Sequence, residues 1–586
     1  MAYKTPGVYI VEKNAFPNSV VEVATAVPAF VGHTEWAVNK GNTLSDKPWR
    51  ISSLAEYIEY FGGAPDSRFA LALSEKTPAK DGKPEIPAAP GDFSIPAPAL
   101  SPPRVDYLLS RVGTPYALFA SMQLFFQNGG GPCYIVSVGD YTQELSADRF
   151  QKGVLQLKKE LEPTMVVIPE AVMLAKEADC IAVQQAVLQH CGVDMKNRFA
   201  ILDVYNGHLD RSTTPDPIGR FRDDLGTNSL KFAAAYYPWL ETSIVKENDL
   251  SYLNIDAATA PLLLDLLRAD MKLGEAPSGA IPRKNYDEKV QALAFMEDNW
   301  LVAKEVNGKF ALLTANEFGQ AQLSEDKSKF KTHAEMRTMI GTAADAAARS
   351  LLLTADQLDE ATVMIDKARF AVHQLLSKSS TLYNTMLRTM AVKLNRLPPG
   401  AAIAGLYTSV DKARGVWKAP ANVSLNAVVA PSVNISHEEQ EDLNVTTGGK
   451  SINAIRSFIG AGVLVWGART LDGNSLDWRY VNVRRTMIML QESLRLAMAA
   501  YVFEPNTSST WVTVKGMANN FLTGIWKRGG LAGASADDAF SVLVGLGETM
   551  TAEDILEGRL NVTILVALSR PAEFIELTFQ QQMQKS

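Results

Sequence analysis

Cysteine is scarce: the 586-residue chain holds three, Cys133, Cys180 and Cys191, and none sits in a CxxC pair. Neither a disulfide framework nor a paired-cysteine metal site is encoded, and the three read as reduced, buried thiols. No apolar run reaches the roughly 18 residues of a membrane span. The opening stretch MAYKTPGVYIVEKN lacks the apolar core and small-residue cleavage site of a secretory leader, so the chain reads as one made and folded in a cytoplasm. An excess of positive charge is missing too. Lys plus Arg is 57 against 64 for Asp plus Glu, a net −7, which argues against a general nucleic-acid coat because a phosphate backbone demands basic surface. What remains, 47% apolar and 21% charged residues with enough length for about four domains, is the profile of a globular protein.

Catalytic motifs are equally thin. TTGGKS (Thr446 to Ser451) ends like a phosphate-binding loop, but position 444, where that loop needs glycine, is Asn, so a plain turn is expected. His437-Glu438-Glu439-Gln440-Glu441 lacks the second histidine of a zinc-binding HExxH and reads as a solvated acidic loop. Cys180, His190 and Cys191 fall near one another on a helix without a further ligand in range. Gly533-Ala534-Ser535-Ala536-Asp537 lacks the last glycine of a nucleophile elbow, and the six histidines are dispersed. No catalytic residue, metal ligand or cofactor is assigned.

The organisation is more informative. Gly7 to Lys13 reads as a terminal strand, and Ala26 to Gly32 as a strand in which Pro28 marks an edge or a start. Nine prolines between Pro65 and Pro103 suggest an exposed, extended loop. Thr114-Pro115 looks like a helix start, and the helix stops at Asn128 before the C-capping glycines 129 to 131. Strands follow at Cys133, at Thr164 to Ile168, at Arg198 to Val204 and at Phe232 to Tyr237, with a helix over about 174–190, which implies an α/β unit with a mainly parallel sheet. From Lys246 to Arg396 helix formers take over. Thr354 and Gln357 make a capping box ahead of Leu358, Ala361, Ile365, Ala368, Val372 and Leu375 at 3-4-3-4-3 spacing, and Leu397-Pro398-Pro399-Gly400 closes this insertion. Two long helices, about 480–503 and 509–527, precede an alternating half-buried strand over Arg559 to Leu568. Ile575, Leu577 and Phe579 alternate with polar residues, so a terminal strand is expected at this end too.

Several segments together resemble the contractile tail sheath proteins of phages, R-type pyocins and extracellular contractile injection systems. They are TPGVYIVE (Thr5 to Glu12), FFQNGGGPCYIVSVG (Phe125 to Gly139), KFAAAYYPWL (Lys231 to Leu240), DKARGVWKAPAN (Asp411 to Asn422), INAIRSFIGAGVLVWGARTL (Ile452 to Leu471), WRYVNVRR (Trp478 to Arg485), FEPN (Phe503 to Asn506) and GLGETMTAEDILEGRL (Gly545 to Leu560). The resemblance spans about 1–245 and 397–586 and leaves the Pro-rich loop and the helical insertion outside it.

The implied fold class is α/β and α+β, multidomain. An N-terminal arm strand (1–24) leads into an α/β domain (25–245, with its loop at 65–103). A mainly helical insertion (246–396), expected on the outer surface, precedes a sheath-type C-terminal α+β domain (397–571) and a C-terminal arm strand (572–586). The resemblance implies a non-enzymatic structural subunit that polymerises in a six-start helix around an inner tube and contracts to drive the tube through a target envelope. Its partners would be other copies of itself or paralogous sheath subunits, the inner tube, and baseplate and terminal cap proteins, with neither membrane insertion nor nucleic acid. It would assemble in the bacterial cytoplasm as part of a phage tail or a released tail-like particle. Val8, Tyr9, Ile10 and Val11, and Phe574, Ile575, Glu576, Leu577, Thr578 and Phe579, would be arm strands that reach into adjacent subunits and complete a shared sheet.

Between Arg479 and Gly530 seven basic residues face two acidic ones, a local +5 in the −7 chain. On the first long helix Val483, Met487, Leu490, Leu494, Met498 and Tyr501 are the expected buried stripe, leaving Arg484, Gln491 and Arg495 on another face. Arg484, Arg495, Lys515, Lys527 and Arg528 are therefore candidates for attachment to an acidic tube, against the plainer reading of solvated helix faces. A nucleic-acid-handling tail or capsid protein using the same patch, and an enzyme with an unrecognised site in the α/β domain, are the alternatives.

Overall fold

The apolar runs read as strands between Ala26 and Tyr237 line up in one sheet. In the computed structural model, which describes residues 20–74, 91–96, 104–298, 301–445 and 448–577, the strands are β1 (Pro28–Thr34), β2 (Trp49–Ile51), β3 (Cys133–Asp140), β4 (Met165–Val167), β5 (Phe199–Asp203), β6 (Ala233–Tyr237), β7 (Val423–Ser424), β8 (Asn453–Phe458) and β9 (Gly462–Val465). Their order across the sheet is β7-β9-β8-β6-β5-β4-β1-β3-β2. The six strands from β8 to β3 are parallel, and the flanking strands are antiparallel. Every residue of β1, β5 and β6 is buried, as expected of parallel strands covered on both faces. Pro28, whose missing N–H would break a ladder in mid-strand, is the first residue of β1 and costs nothing there.

Helices α1 (Leu118–Gln127), α2 (Glu177–Gln189) and α3 (Gly400–Arg414) are part of the same body. α1 starts at Leu118, later than the Thr114-Pro115 signal suggests, because its first turn is capped from a distance by a carboxylate and not by a local hydroxyl. It stops where expected, with Gly129 at φ +90°. α3 crosses α1 so closely that a Cβ at Gly405 would lie 2.4 Å from the Phe125 carbonyl oxygen.

The division of the chain departs from the sequence reading in two ways. First, β7, β8 and β9 come from the 397–571 stretch yet complete the α/β sheet, so that stretch is no separate domain. Only its later part, α4 (Val481–Met498), α5 (Ser508–Lys527) and the antiparallel pair β10 (Phe540–Leu543) and β11 (Thr563–Val566), gathers a second core, around Met489, Leu494, Leu522 and Val542. Second, the Pro-rich stretch is not simply an extended loop. Arg68–Leu73 and Phe93–Pro96 both pair with Arg104–Val112 in an antiparallel sheet. Phe69, Leu71, Tyr107 and Leu109 share a core with Leu263, Leu267, Phe295 and Met386, so 66–113 and 245–394 fold as one body made from two insertions. Proline density hid the RFALAL alternation, in which Phe69 and Leu71 point inward.

Within that inserted body the long helix Ala355–Ser379 has the expected Thr354–Gln357 capping box, and it buries Leu358, Ala361, Ile365, Val372 and Leu376. The acidic stretch at His437 is also helical, His437–Asn444, since Ser436 and Glu439 form a capping box that the missing zinc histidine does not affect. Among the described residues no helix is long and apolar enough to cross a membrane.

Candidate functional site

Open α/β sheets usually take ligands beyond the carboxyl ends of their strands, where the strand order reverses. That point here is β1, with β3 on one side and β4 on the other. It is filled from within. Glu170, fully buried just after β4, accepts the Ala117 and Leu118 N–H groups at the start of α1 (3.0 and 3.1 Å), the His33 N–H (2.8 Å) and a contact from His33 Nδ1 (3.1 Å). A helix N-terminus that elsewhere holds an anion holds the chain's own carboxylate.

The phosphate-loop look-alike is spent on folding as well. Lys450 is buried with its ammonium on the Arg222 carbonyl, and the Ser451 hydroxyl donates to the Asn444 carbonyl at 2.6 Å. His190, whose burial beside Arg198 pushes its pKa down to about 4, meets the Arg198 guanidinium at 3.1 Å. Cys180 and Cys191 are free and buried.

The chemistry that stands out lies where the two chain ends leave the body. At the N-terminal side, residues 20–25 run along α4, with Val20 and Val23 packed on its core and the Val23 N–H donating to Ser493 Oγ (3.1 Å). Arg485 and Asp411 form a two-pronged ion pair at 3.0 and 2.6 Å, with both side chains under 5% exposed. Into this pair Thr25 inserts: its hydroxyl donates to Asp411 (2.6 Å) and its carbonyl accepts from Arg485 (3.0 Å). The Arg485 guanidinium also lies over the Tyr407 ring.

At the C-terminal side the buried Arg469 grips Glu573 at 2.9 and 2.6 Å. Tyr480 donates to the same carboxylate at 3.1 Å, and Asn482 Nδ2 donates to the Ser569 carbonyl at 3.0 Å. Immediately beyond this grip Phe574, Ile575, Glu576 and Leu577 are exposed and form no strand in the single chain. Thr578 and Phe579, like Val8, Tyr9, Ile10 and Val11, lie outside the described residues.

The basic candidates separate. Arg484 is not on a surface face. It is 4% exposed and held between the rings of Phe232 and Trp478, each 4.5 Å from its guanidinium carbon, and desolvation pushes its pKa down to about 10. The stripe reading of α4 failed because that helix is covered on nearly all sides in its first half, where Val481 through Thr486 are all buried. Arg495 is exposed and paired with Glu492, Lys515 lies 3.9 Å from Glu548, and Arg528 pairs with Glu22 over the Trp417 ring. Lys527 is exposed at the end of α5 without a carboxylate among the described residues.

The grips at the chain ends were missed in the sequence, although their body-side residues stood in the quoted segments: Asp411 in DKARGVWKAPAN, Arg469 in the INAIRSF segment, and Tyr480, Asn482 and Arg485 in WRYVNVRR.

Residues 474–582 match the family model of the phage tail sheath C-terminal domain. The chain is similar over 99% of its length to a chain of the anti-feeding prophage (AFP) helical sheath in the contracted state, with 24% identity, a TM-score of 0.52 and 100% of that chain covered. A chain of the PVC sheath complex, from an extracellular contractile injection system in the contracted state, matches at 23% identity and a TM-score of 0.51, with 99% of each chain covered. A chain of the six-fold symmetrised AFP baseplate gives 24% identity and 0.51, with 99% of this chain and all of that one covered. No curated protein matches the sequence. The chain thus has the fold of these contractile sheath chains along its length, and its residues 474–582 match the phage tail sheath C-terminal domain.

Proposed function

We propose that the chain is the structural subunit of a contractile sheath. It polymerises as a six-start helix around an inner tube and shortens to drive that tube through a target envelope. The observation that carries this reading is the sheath fold over 99% of the chain together with the tail sheath domain in 474–582. Residues before Val20 and after Glu573 are the inter-subunit arms, with Val8 to Val11 and Phe574 to Phe579 as their strands. They pair with the β10–β11 ladder of neighbouring copies, whose two strands have no further strand beside them among the described residues. Main-chain ladders of this kind keep subunits joined while side-chain surfaces slide past one another.

Arg495, Lys515, Lys527 and Arg528 form the tube-facing basic surface, with Lys527 the least committed to other contacts. The inserted body lies on the outside of the sheath and is dispensable for polymerisation. The terminal partners are a baseplate and a cap, and the particle assembles in the bacterial cytoplasm, in a phage tail or a released tail-like device. No catalytic step enters this function. Electron microscopy and sedimentation of the purified chain at micromolar concentration test it: tubes or stacked rings are expected, and a population of monomers alone would overturn it.

A further inference from the structure

The two grips share a design. Each places a guanidinium, 3% exposed in Arg485 and 4% in Arg469, against a carboxylate, with a hydroxyl as a third member: Thr25 in one, Tyr480 in the other. The Arg469 grip sits just before the exposed residues 574–577, and the Arg485 grip takes in Thr25, from which residues 20–24 run on along α4; Arg469 bridges to Tyr480 at the start of α4, Arg485 lies on α4 and Asp411 on α3.

Burying such pairs gains little net stability, since desolvation offsets most of the Coulomb attraction, but it defines position sharply. An apolar contact at the same place could slide by a rotamer. A two-pronged guanidinium–carboxylate pair cannot, because its parallel hydrogen bonds fix both distance and plane. The Arg485 pair is further braced by the Tyr407 ring, whose hydroxyl meets that of Tyr236 on β6 at 2.6 Å, so the N-terminal grip is tied into the central sheet. Arg469 is tied in likewise: its N–H donates to Asn453 Oδ1 on β8 (2.7 Å), and Asn453 Nδ2 donates to the Ala235 carbonyl on β6 (3.2 Å).

We infer that Arg469–Glu573–Tyr480 and Arg485–Asp411–Thr25 are strain anchors. They are positioning residues at which tension carried by an arm enters the parallel sheet, so that pulling on an arm does not peel the chain end from the body. This rests on the proposed reading of the chain ends as inter-subunit arms. Arm exchange alone does not require it, because arms could pair equally well from loosely attached roots.

The test uses the full-length chain. Glu573→Gln removes the charge and keeps the shape, Glu576→Gln alters an exposed charge three residues further along the same tail, and Thr25→Val removes the hydroxyl of the N-terminal grip without touching its ion pair. If the unaltered chain forms no polymer, the sheath reading itself has failed and the variants are not needed. If it does, Glu573→Gln, whose amide oxygen still accepts from Arg469, is expected to stay folded, yet to be cut by chymotrypsin after Phe574 about tenfold faster, the loss of one charge-assisted hydrogen bond. Its sheaths should assemble and then fragment on contraction. Thr25→Val should fragment to a lesser degree, and Glu576→Gln should behave as the parent in both assays. Intact contracted sheaths from Glu573→Gln, or equal fragmentation by Glu573→Gln and Glu576→Gln, would overturn the anchor role.

Discussion

Within each of the two bodies of this chain a different kind of interaction dominates. In the sheet body the buried side chains include Glu170, Arg198, Asp203, Arg469, Arg484 and Arg485, several with partners from far along the chain: Thr25 meets Arg485 across 460 positions. In the inserted body the buried polar side chains among the described residues are Gln322 and Ser380, and the helix starts are closed by local boxes, Thr314 with Glu317, Thr332 with Glu335 and Thr354 with Gln357. The sheet body spends desolvation on a fixed geometry. The inserted body relies on apolar area and nearest-neighbour capping, which are forgiving of exact position.

Five substitutions break or sharpen that contrast. Asp411→Ala leaves the Arg485 guanidinium buried and unpaired, and is expected to cost the sheet body about 4 kcal/mol, seen by native-state hydrogen exchange in β1, β5 and β6 with the inserted body unchanged. Leu267→Ala, at a fully buried site of the inserted body, should cost about 3 kcal/mol there and leave sheet exchange alone. If either substitution weakens both bodies equally, they fold as one cooperative unit and the contrast has no thermodynamic content.

Asp203 gives a pH signature. Its carboxyl is buried, and burial raises its pKa from 3.8 to about 7 against the opposing hydrogen bond from the Gly400 N–H. The folded state therefore holds this proton more tightly than the unfolded state. Its stabilising contribution is full below about pH 4 and is lost as pH rises to about 7. Denaturant unfolding between pH 5 and 6.5 should show the sheet body losing about 2 kcal/mol to this group, a slope that Asp203→Asn removes while keeping an acceptor for Gly400. Thr354→Ala should cost the inserted body about 1 kcal/mol, the value of a capping hydroxyl. Smallest of all, Lys527→Glu should change stability by less than about 0.5 kcal/mol while impairing docking on an acidic tube. Arg528→Glu is the poorer probe, because it also breaks the Glu22 pair and the Trp417 stacking. Extended particles of normal length and tube content from Lys527→Glu would remove that residue from the attachment surface.

Much of the fold can be read from local pattern. The runs at Cys133, Thr164, Arg198 and Phe232 are strands, the glycines after Asn128 end a helix, and Thr354 with Gln357 opens one. In each case the determining interactions lie within a few residues, as backbone hydrogen bonds, caps and side-chain period. The same reasoning misplaced Arg484, which a heptad stripe puts on an open face. It also overlooked RFALAL among the prolines and took the His437 stretch for a loop.

What composition and period by themselves determined was the alternation of elements, the parallel sheet and the helical insertion. Only the tertiary structure decided which guanidinium is sheathed by Phe232 and Trp478, which one meets Asp411, and which carboxylate fills the start of α1. Those outcomes depend on elements tens to hundreds of positions away, and a charged side chain carries no local mark of whether its partner will be water or another residue brought to it by the fold.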